Sequence, residues 1–395
     1  MRPRLHRLTI LLMLLIATCS TSLGEIPIIA FIGVPVNHSE TYRFREFREC
    51  GFDVSISDYG DTPVSTLLSI LDSAHHEGVR IMMGSNLFYN SQSRHTISTI
   101  KNHPALFGYF LMDEPRPDEM HKAVERFTAV NRWDSIKPRY VNLHPNLGTP
   151  VLKYFKLKSY SQYLRAATAI GLPQISFDIY PITNDSVRTT WYPCLEDVRK
   201  ESLRSGKPFW AFVLSTPHRN YPQPTLASLR LQIYSNLAYG AQAIQYFTYW
   251  TPNIPEDNYR NGPIGLDGKP ASTYKLVQRM NRELRQVARL FDGAKVVGVH
   301  HLGRTIPEGT KRLKVAPANL RRLRIEGRPG AIVSQLEKEG HHYLAIVNKN
   351  HKDEMKVHLE TKNDTPRHLT KGLKEEPIQN SYTVQPGDIL LFKLQ

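Results

Sequence analysis

The amino-acid sequence predicts an α/β chain: a (β/α)8 TIM barrel followed by a small antiparallel β-sandwich domain. Three observations carry this reading. Strand-like and helix-like segments alternate eight times between residues 26 and 293, and a closed parallel barrel takes about 250 residues for its eight units. The strand segments are apolar throughout, as strands covered on both faces are. Beyond Gly293 the texture changes to short strands separated by turn residues, with no long helix. A doubly wound sheet is the competing fold, but no glycine-rich fingerprint follows the first strand.

The units run in order. The β-branched segment IPIIAFIGVP precedes the helical spacing of SETYRFREFRECG, which ends at Gly51. FDVSISDYG then alternates, and Thr62-Pro63 opens a helix that Gly78 closes. VRIMMGS leads into SRHTISTIKNHP, and ALFGYFLMDEP into RPDEMHKAVERFTAVNRW. In the second half PRYVNLHPN precedes SYSQYLRAATAIG, and PQISFDIYPI precedes CLEDVRKESLRSG. KPFWAFVLST precedes PTLASLRLQIYSNLAYG, and AQAIQYFTYW leads through a loop to ASTYKLVQRMNRELRQVARLFDG. The remainder, including GAIVSQLEKEGHHYLAIVNKN and the Pro-Gly-Asp turn into DILLFKL, reads as a sandwich of roughly a hundred residues. The expected domains are therefore a signal peptide over 1–24, a barrel over 25–293 and a sandwich over 294–395.

The chain has 395 residues and a formal charge of +15. A basic surface of this kind favours acidic glycans, nucleic acid or an anionic membrane, and no nucleic-acid motif accompanies it. Arginines precede an apolar run from Leu8 to Ala17, and small residues follow, which is the pattern of a signal peptide cleaved before about Glu25. The protein is accordingly expected to be exported, to a periplasmic or extracellular location. IATCS also resembles a loose bacterial lipobox; on that second reading Cys19 carries a lipid anchor and the protein is an outer-membrane lipoprotein. Cys50 and Cys194 form no disulfide framework or metal spacing and are expected to be free and buried. The adjacent pairs His75-His76 and His300-His301 have diverging ring vectors and do not suit a metal. No metal or cofactor is implied.

In a barrel of this kind the chemistry lies where strands end and the following loops begin. Those positions hold Asp58, then Asn86 and Tyr89, then Asp113 and Glu114, then Asn142 and His144, then Asp178 and Tyr180. The seventh strand ends near His218, and the eighth supplies Gln245, Tyr246, Tyr249 and Trp250. Acid–base groups beside flat aromatic surfaces suit a sugar ring, whose C–H face stacks while its hydroxyls need donors and acceptors. The stretch FGYFLMDEPRPDEM poses the sharpest question, since Asp113 and Glu114 fit either a helix N-terminus or a catalytic acid at a barrel mouth.

An apolar fourth strand ending in Asp-Glu-Pro resembles the Asn-Glu-Pro of clan A glycoside hydrolases, the superfamily that contains β-galactosidases. SFDIYPI, AIQYFTYW and GPIGLDGKPASTYKLVQRMNREL are similar to its sixth strand, eighth strand and approach to the last helix. The resemblance implies a carbohydrate substrate, with Glu114 as general acid and Asp113 as the contact to the sugar 2-hydroxyl. It also implies Tyr180 pointing into the site and Trp250 as the floor under the reacting sugar. One departure stands out: the seventh strand, KPFWAFVLSTPHRN, lacks the glutamate nucleophile of retaining members, and no acid occurs between Glu201 and Glu256. Asp178 or Asp58 is then the second carboxylate, as nucleophile or as base, and placement across the barrel gives the wider separation of an inverting enzyme. The alternative is a non-catalytic glycan-binding barrel.

Overall fold

The computed structural model describes residues 26–328 and 330–395. The expected signal peptide and Cys19 lie outside the described residues. Eight parallel strands close into a barrel: β1 (Ile28–Phe31), β2 (Val54–Asp58), β3 (Arg80–Gly84), β4 (Leu106–Asp113), β5 (Arg139–Leu143), β6 (Ile175–Phe177), β7 (Phe209–Leu214) and β8 (Ala243–Phe247). The ring closes where β8 pairs with β1, Ile28 opposite Ile244.

Strand alternation sorts the side chains. Ile29, Val54, Met82, Phe107, Tyr140, Trp210 and Ala243 fill the barrel interior. Their neighbours Ile28, Ile81, Val141, Val213 and Ile244 face the surrounding helices. The helices are α1 (Thr41–Glu49), α2 (Val64–His76), α3 (Ser93–Ile100), α4 (Met120–Asn131), α5 (Thr149–Tyr154), α6 (Tyr160–Ala169), α7 (Trp191–Ser205), α8 (Leu226–Tyr239) and α9 (Ser272–Phe291). Most of the long helices bury one stripe, whereas α8, packed between the barrel and the sandwich, is buried almost all round. On α9 that stripe is Val277, Met280, Leu284, Val287 and Phe291, the spacing of a single helical face. Thr225 opens α8 through a reciprocal capping box with Ser228.

Two features at the strand C-terminal end were not visible in the alternation. The short helix α5 lies in the loop after β5, and a two-stranded hairpin (Ile182–Thr183 with Ser186–Val187) follows β6. Both are too short for a hydrophobic period to register.

The chain leaves α9 at Phe291 and enters the sandwich at Lys295. Its strands are β9 (Lys295–Leu302), β10 (Leu320–Glu326), β11 (Ala331–Lys338), β12 (His341–Asn348), β13 (Met355–Thr361), β14 (Arg367–Leu369), β15 (Glu375–Glu376), β16 (Ser381–Val384) and β17 (Ile389–Lys393). One sheet has the order β9-β11-β12-β17-β14-β15 and the other β10-β13-β16. The larger sheet sends Ile332, Ala345, Val347 and Leu391 into the core shared with the barrel helices, and the sheets pack on each other through Val333, Ile346, Val357 and Phe392. Polar clamps fix the junction: Ser334 Oγ donates to the Ala238 carbonyl at 2.6 Å, and Tyr239 Oη meets His301 Nε2 at 2.8 Å. Arg230 and Lys371 bridge Glu283 and Asp388. Cys50 and Cys194 are free and buried.

Candidate active site

The Asp113–Glu114 pair does not cap a helix. The first turn after it begins at Pro117, with Arg116 at the cap and Glu119 accepting the Arg116 N–H, so the dipole-facing acids are Asp118 and Glu119. Asp113 instead ends β4. Successive strand residues point to opposite faces, yet both Asp113 and Glu114 line one cavity. The backbone explains this: Glu114 has φ +42°, in the left-handed region that non-glycine residues rarely adopt. Its N–H donates to the Asn142 carbonyl at 2.9 Å, which holds the turn. Strain of this kind costs on the order of 1–3 kcal/mol and collects at functional sites.

Asn142, on β5, organises the acids. Its Nδ2 donates to Asp113 Oδ1 at 3.0 Å and to Asp178 Oδ1 at 2.9 Å. Its own orientation is set from below, where Ser176 Oγ lies 3.1 Å from Asn142 Oδ1. Ser176 in turn accepts from Gln245 Nε2 at 2.9 Å, and Gln245 Oε1 accepts from Tyr140 Oη at 2.8 Å. A buried polar layer thus sits between the apolar barrel floor and the cavity.

The Glu114 and Asp178 carboxyl groups are neighbours in this cavity, each acting on the other's proton affinity. Three acids in so small a space cannot all ionise freely. Burial and the neighbouring Asp178 charge push Asp113 up to about 6. Burial and Asp113 raise Glu114. Burial and Glu114 hold Asp178 well above the ordinary carboxylate range. Both members of the Glu114–Asp178 pair are thereby biased toward the protonated form, as close carboxyl pairs are.

The cavity has a volume of about 410 Å³, within the usual range for small-molecule sites. Opposite the acids stand aromatic rings from β1, β7 and β8: Phe31 packs against Phe212 at 5.8 Å and Phe247 at 6.1 Å. Tyr180 extends this wall, 5.5 Å from Phe247. Where a retaining enzyme has its glutamate, Ser215 and Thr216 are fully buried, with their hydroxyls engaged by Thr248. His218 follows, its Nδ1 2.9 Å from the Thr216 carbonyl and its ring stacked on Tyr259 at 4.6 Å. Burial lowers the His218 pKa, so the imidazole is neutral near pH 7. With Nδ1–H donated to the carbonyl, Nε2 is left as an acceptor.

No family model and no curated protein matches the sequence. Solved structures do match. A β-galactosidase from Bacillus circulans sp. alkalophilus superposes with a TM-score of 0.64 at 11% identity, over 94% of this chain and 99% of that one. A catalytic-mutant β-galactosidase of family 42 from G. stearothermophilus gives 0.62 at 9% identity, over 94% and 98%. A family 5 glycoside hydrolase from Bacteroides vulgatus gives 0.55 at 12%, over 93% and 88%. The structural neighbours are TIM-barrel glycoside hydrolases. What this chain shares with them at such identities is the fold.

Of the residues expected at the site, Asp113, Glu114, Asn142, His144, Asp178, Tyr180 and His218 line the cavity. Asp178 does not face Glu114 across the barrel as expected; β4 and β6 are separated only by β5, and the two carboxyls line the same cavity as neighbours. The other residues lie elsewhere. Asp58 is exposed and closes a turn by accepting the Gly60 N–H. Asn86 donates to Asp61, and Tyr89 packs under the Arg126 guanidinium. Gln245 sits one layer below the cavity. Tyr246 and Tyr249 point outward into the helix-facing core against Phe52 and Phe47. Trp250 is not the floor of the cavity. After Phe247 the chain runs beside the end of β1, where the Trp250 N–H donates to Ile32, and the indole stacks on His38 at 4.8 Å beneath Arg43.

Phe31, Phe212 and Phe247 were missed, although period-2 alternation contained the signal. If Gln245 points inward, Phe247 must as well and Tyr246 cannot. Arg188, Tyr221 and Tyr259 come from irregular loops and left no such mark.

Proposed function

We propose that the protein is a glycoside hydrolase whose Glu114–Asp178 pair protonates the leaving glycosidic oxygen. The observation that carries this reading is the pair of neighbouring carboxyls at the mouth of the barrel, both with raised proton affinity, facing an aromatic wall on which a sugar ring can stack. With both carboxyls on one wall, the water is activated from elsewhere. His218, from the loop after β7, is the titratable group placed for it. Its Nε2 takes a proton from water as the water oxygen bonds to the anomeric carbon. The bond from that carbon to the leaving oxygen breaks, and the pair supplies the leaving group with its proton. This arrangement inverts the anomeric configuration.

Screening oligosaccharides for hydrolysis, with the anomeric product followed by NMR, tests the reading. Glu114→Gln is expected to lower turnover by about 10²–10⁴-fold, the usual contribution of a positioned acid, with an unchanged circular dichroism spectrum. Full turnover in that variant overturns the assignment, and retained configuration removes His218 as the base. A second reading, a glycan-binding barrel without turnover, is favoured by the acid-free β7. Glycan binding by calorimetry with no product formed would establish it.

A further inference from the structure

A second, larger cavity of about 680 Å³ lies between the barrel and the sandwich. The loop after β5 and Arg188 border both this cavity and the acid-bearing one. His144, Pro145 and Leu147 line the first cavity and Asn146, Gly148 and Thr149 the second, while Arg188 lines both.

The second cavity contains an unusual group. Lys349, in the loop after β12, is only 3% exposed. No hydrogen bond or ion pair among the described residues engages its ammonium group. Its polar contact is the face of the Tyr192 ring, 5.8 Å away. Burial, together with the positive Arg312 nearby, pushes the amine down to about 8, and no carboxylate offsets this. The acids that share the cavity are otherwise placed: Asp197 accepts from Asn146 Nδ2 at 3.0 Å, and Glu308 is exposed. A buried cation without a counter-ion is costly to keep in a fold. An anion entering the cavity would relieve that cost, and Arg188 is placed on the path from the first cavity.

We infer that this cavity is a subsite for an anionic substituent, a uronate carboxylate or a sulfate ester, carried by the glycan whose neighbouring sugar occupies the Glu114–Asp178 cavity. Lys349 supplies the buried charge and Arg188 the guanidinium at the boundary. The inference rests on the glycan-site reading above. It extends that reading by making the substrate acidic, which also agrees with the chain's +15 charge.

The test is calorimetric binding to the full-length Glu114→Gln protein, which keeps ligand intact. One arm uses uronate-containing oligosaccharides, each paired with its carboxyl-reduced counterpart. The other uses sulfated oligosaccharides paired with their desulfated forms. At least one acidic member should bind ten-fold or more tightly than its neutral partner. Adding Lys349→Met should bring that ratio close to one. Equal binding within every pair, or a preference that survives Lys349→Met, overturns the subsite while leaving the glycan site standing. If no member of either arm binds, the glycan-site reading falls and the subsite with it. A thermal melt of Lys349→Met without ligand controls for folding: removing an uncompensated charge should hold or raise the melting temperature, and a clear drop would mark Lys349 as a structural residue and refute its role as an anion receptor.

Discussion

Asn142 is the residue through which the acid cluster can best be tested. Replacing it with leucine, of similar size, removes the donor shared by Asp113 and Asp178. The two lost bonds differ in their dependence on pH. Asp178, raised well above the ordinary carboxylate range by burial and by Glu114, holds its proton to higher pH than an ordinary carboxyl. Asp113 titrates at about 6. Above that pH the variant leaves a carboxylate without its amide donor, and a hydrogen bond to a charged group is worth about 1.5–3 kcal/mol. The sign follows. The native Asp113 holds its proton more tightly than the unfolded chain, whose value is near 3.8, so the stability it contributes is greatest at low pH and declines as pH rises through 6. Removing Asn142 steepens that decline. Urea denaturation should therefore show Asn142→Leu destabilised at pH 8 by about 2 kcal/mol more than at pH 4.5. For the parent, the rise of Asp113 from 3.8 to about 6 corresponds to roughly 3 kcal/mol for an enclosed group, reduced to about 1 kcal/mol because solvent reaches Asp113. An equal cost at both pH values would refute the assignment of Asn142 as the clamp on ionised Asp113.

Two further outcomes are expected. Phe247→Ala should weaken glycan affinity about ten-fold through loss of the stacking face, whereas Trp250→Phe should shift the melting temperature and leave affinity within about two-fold; the reverse pattern in calorimetry would restore Trp250 as the platform. Gly387 has φ +69°, and a Cβ there would meet the Ala227 carbonyl at 2.2 Å. Gly387→Ala should thus cost about 3 kcal/mol at the barrel–sandwich junction in chemical denaturation, and an unchanged midpoint would show that junction to be loose.

The architecture was legible in the sequence because it rests on periodicity. Apolar runs, helix stripes and turn residues are local signals, and a strand–helix rhythm repeated eight times has few closed solutions. The placement of Asp113, Glu114, Asn142 and Asp178 at the rim was legible for the same reason, since strand ends can be read from where apolar runs stop. Alternation within β8 was also present in the sequence, and it separates Phe247 and Gln245 from Tyr246. What one dimension did not contain was the distance between residues far apart in the chain. That Glu114 and Asp178 come to line one cavity was decided by the left-handed turn at Glu114 and by Asn142, which bridges Asp113 and Asp178 from β5. That Lys349 has no hydrogen-bond or ion-pair partner for its ammonium group among the described residues was decided only by the docking of the sandwich on the barrel. Charges acquire their proton affinities from neighbours and burial, and both are set by tertiary packing rather than by order along the chain.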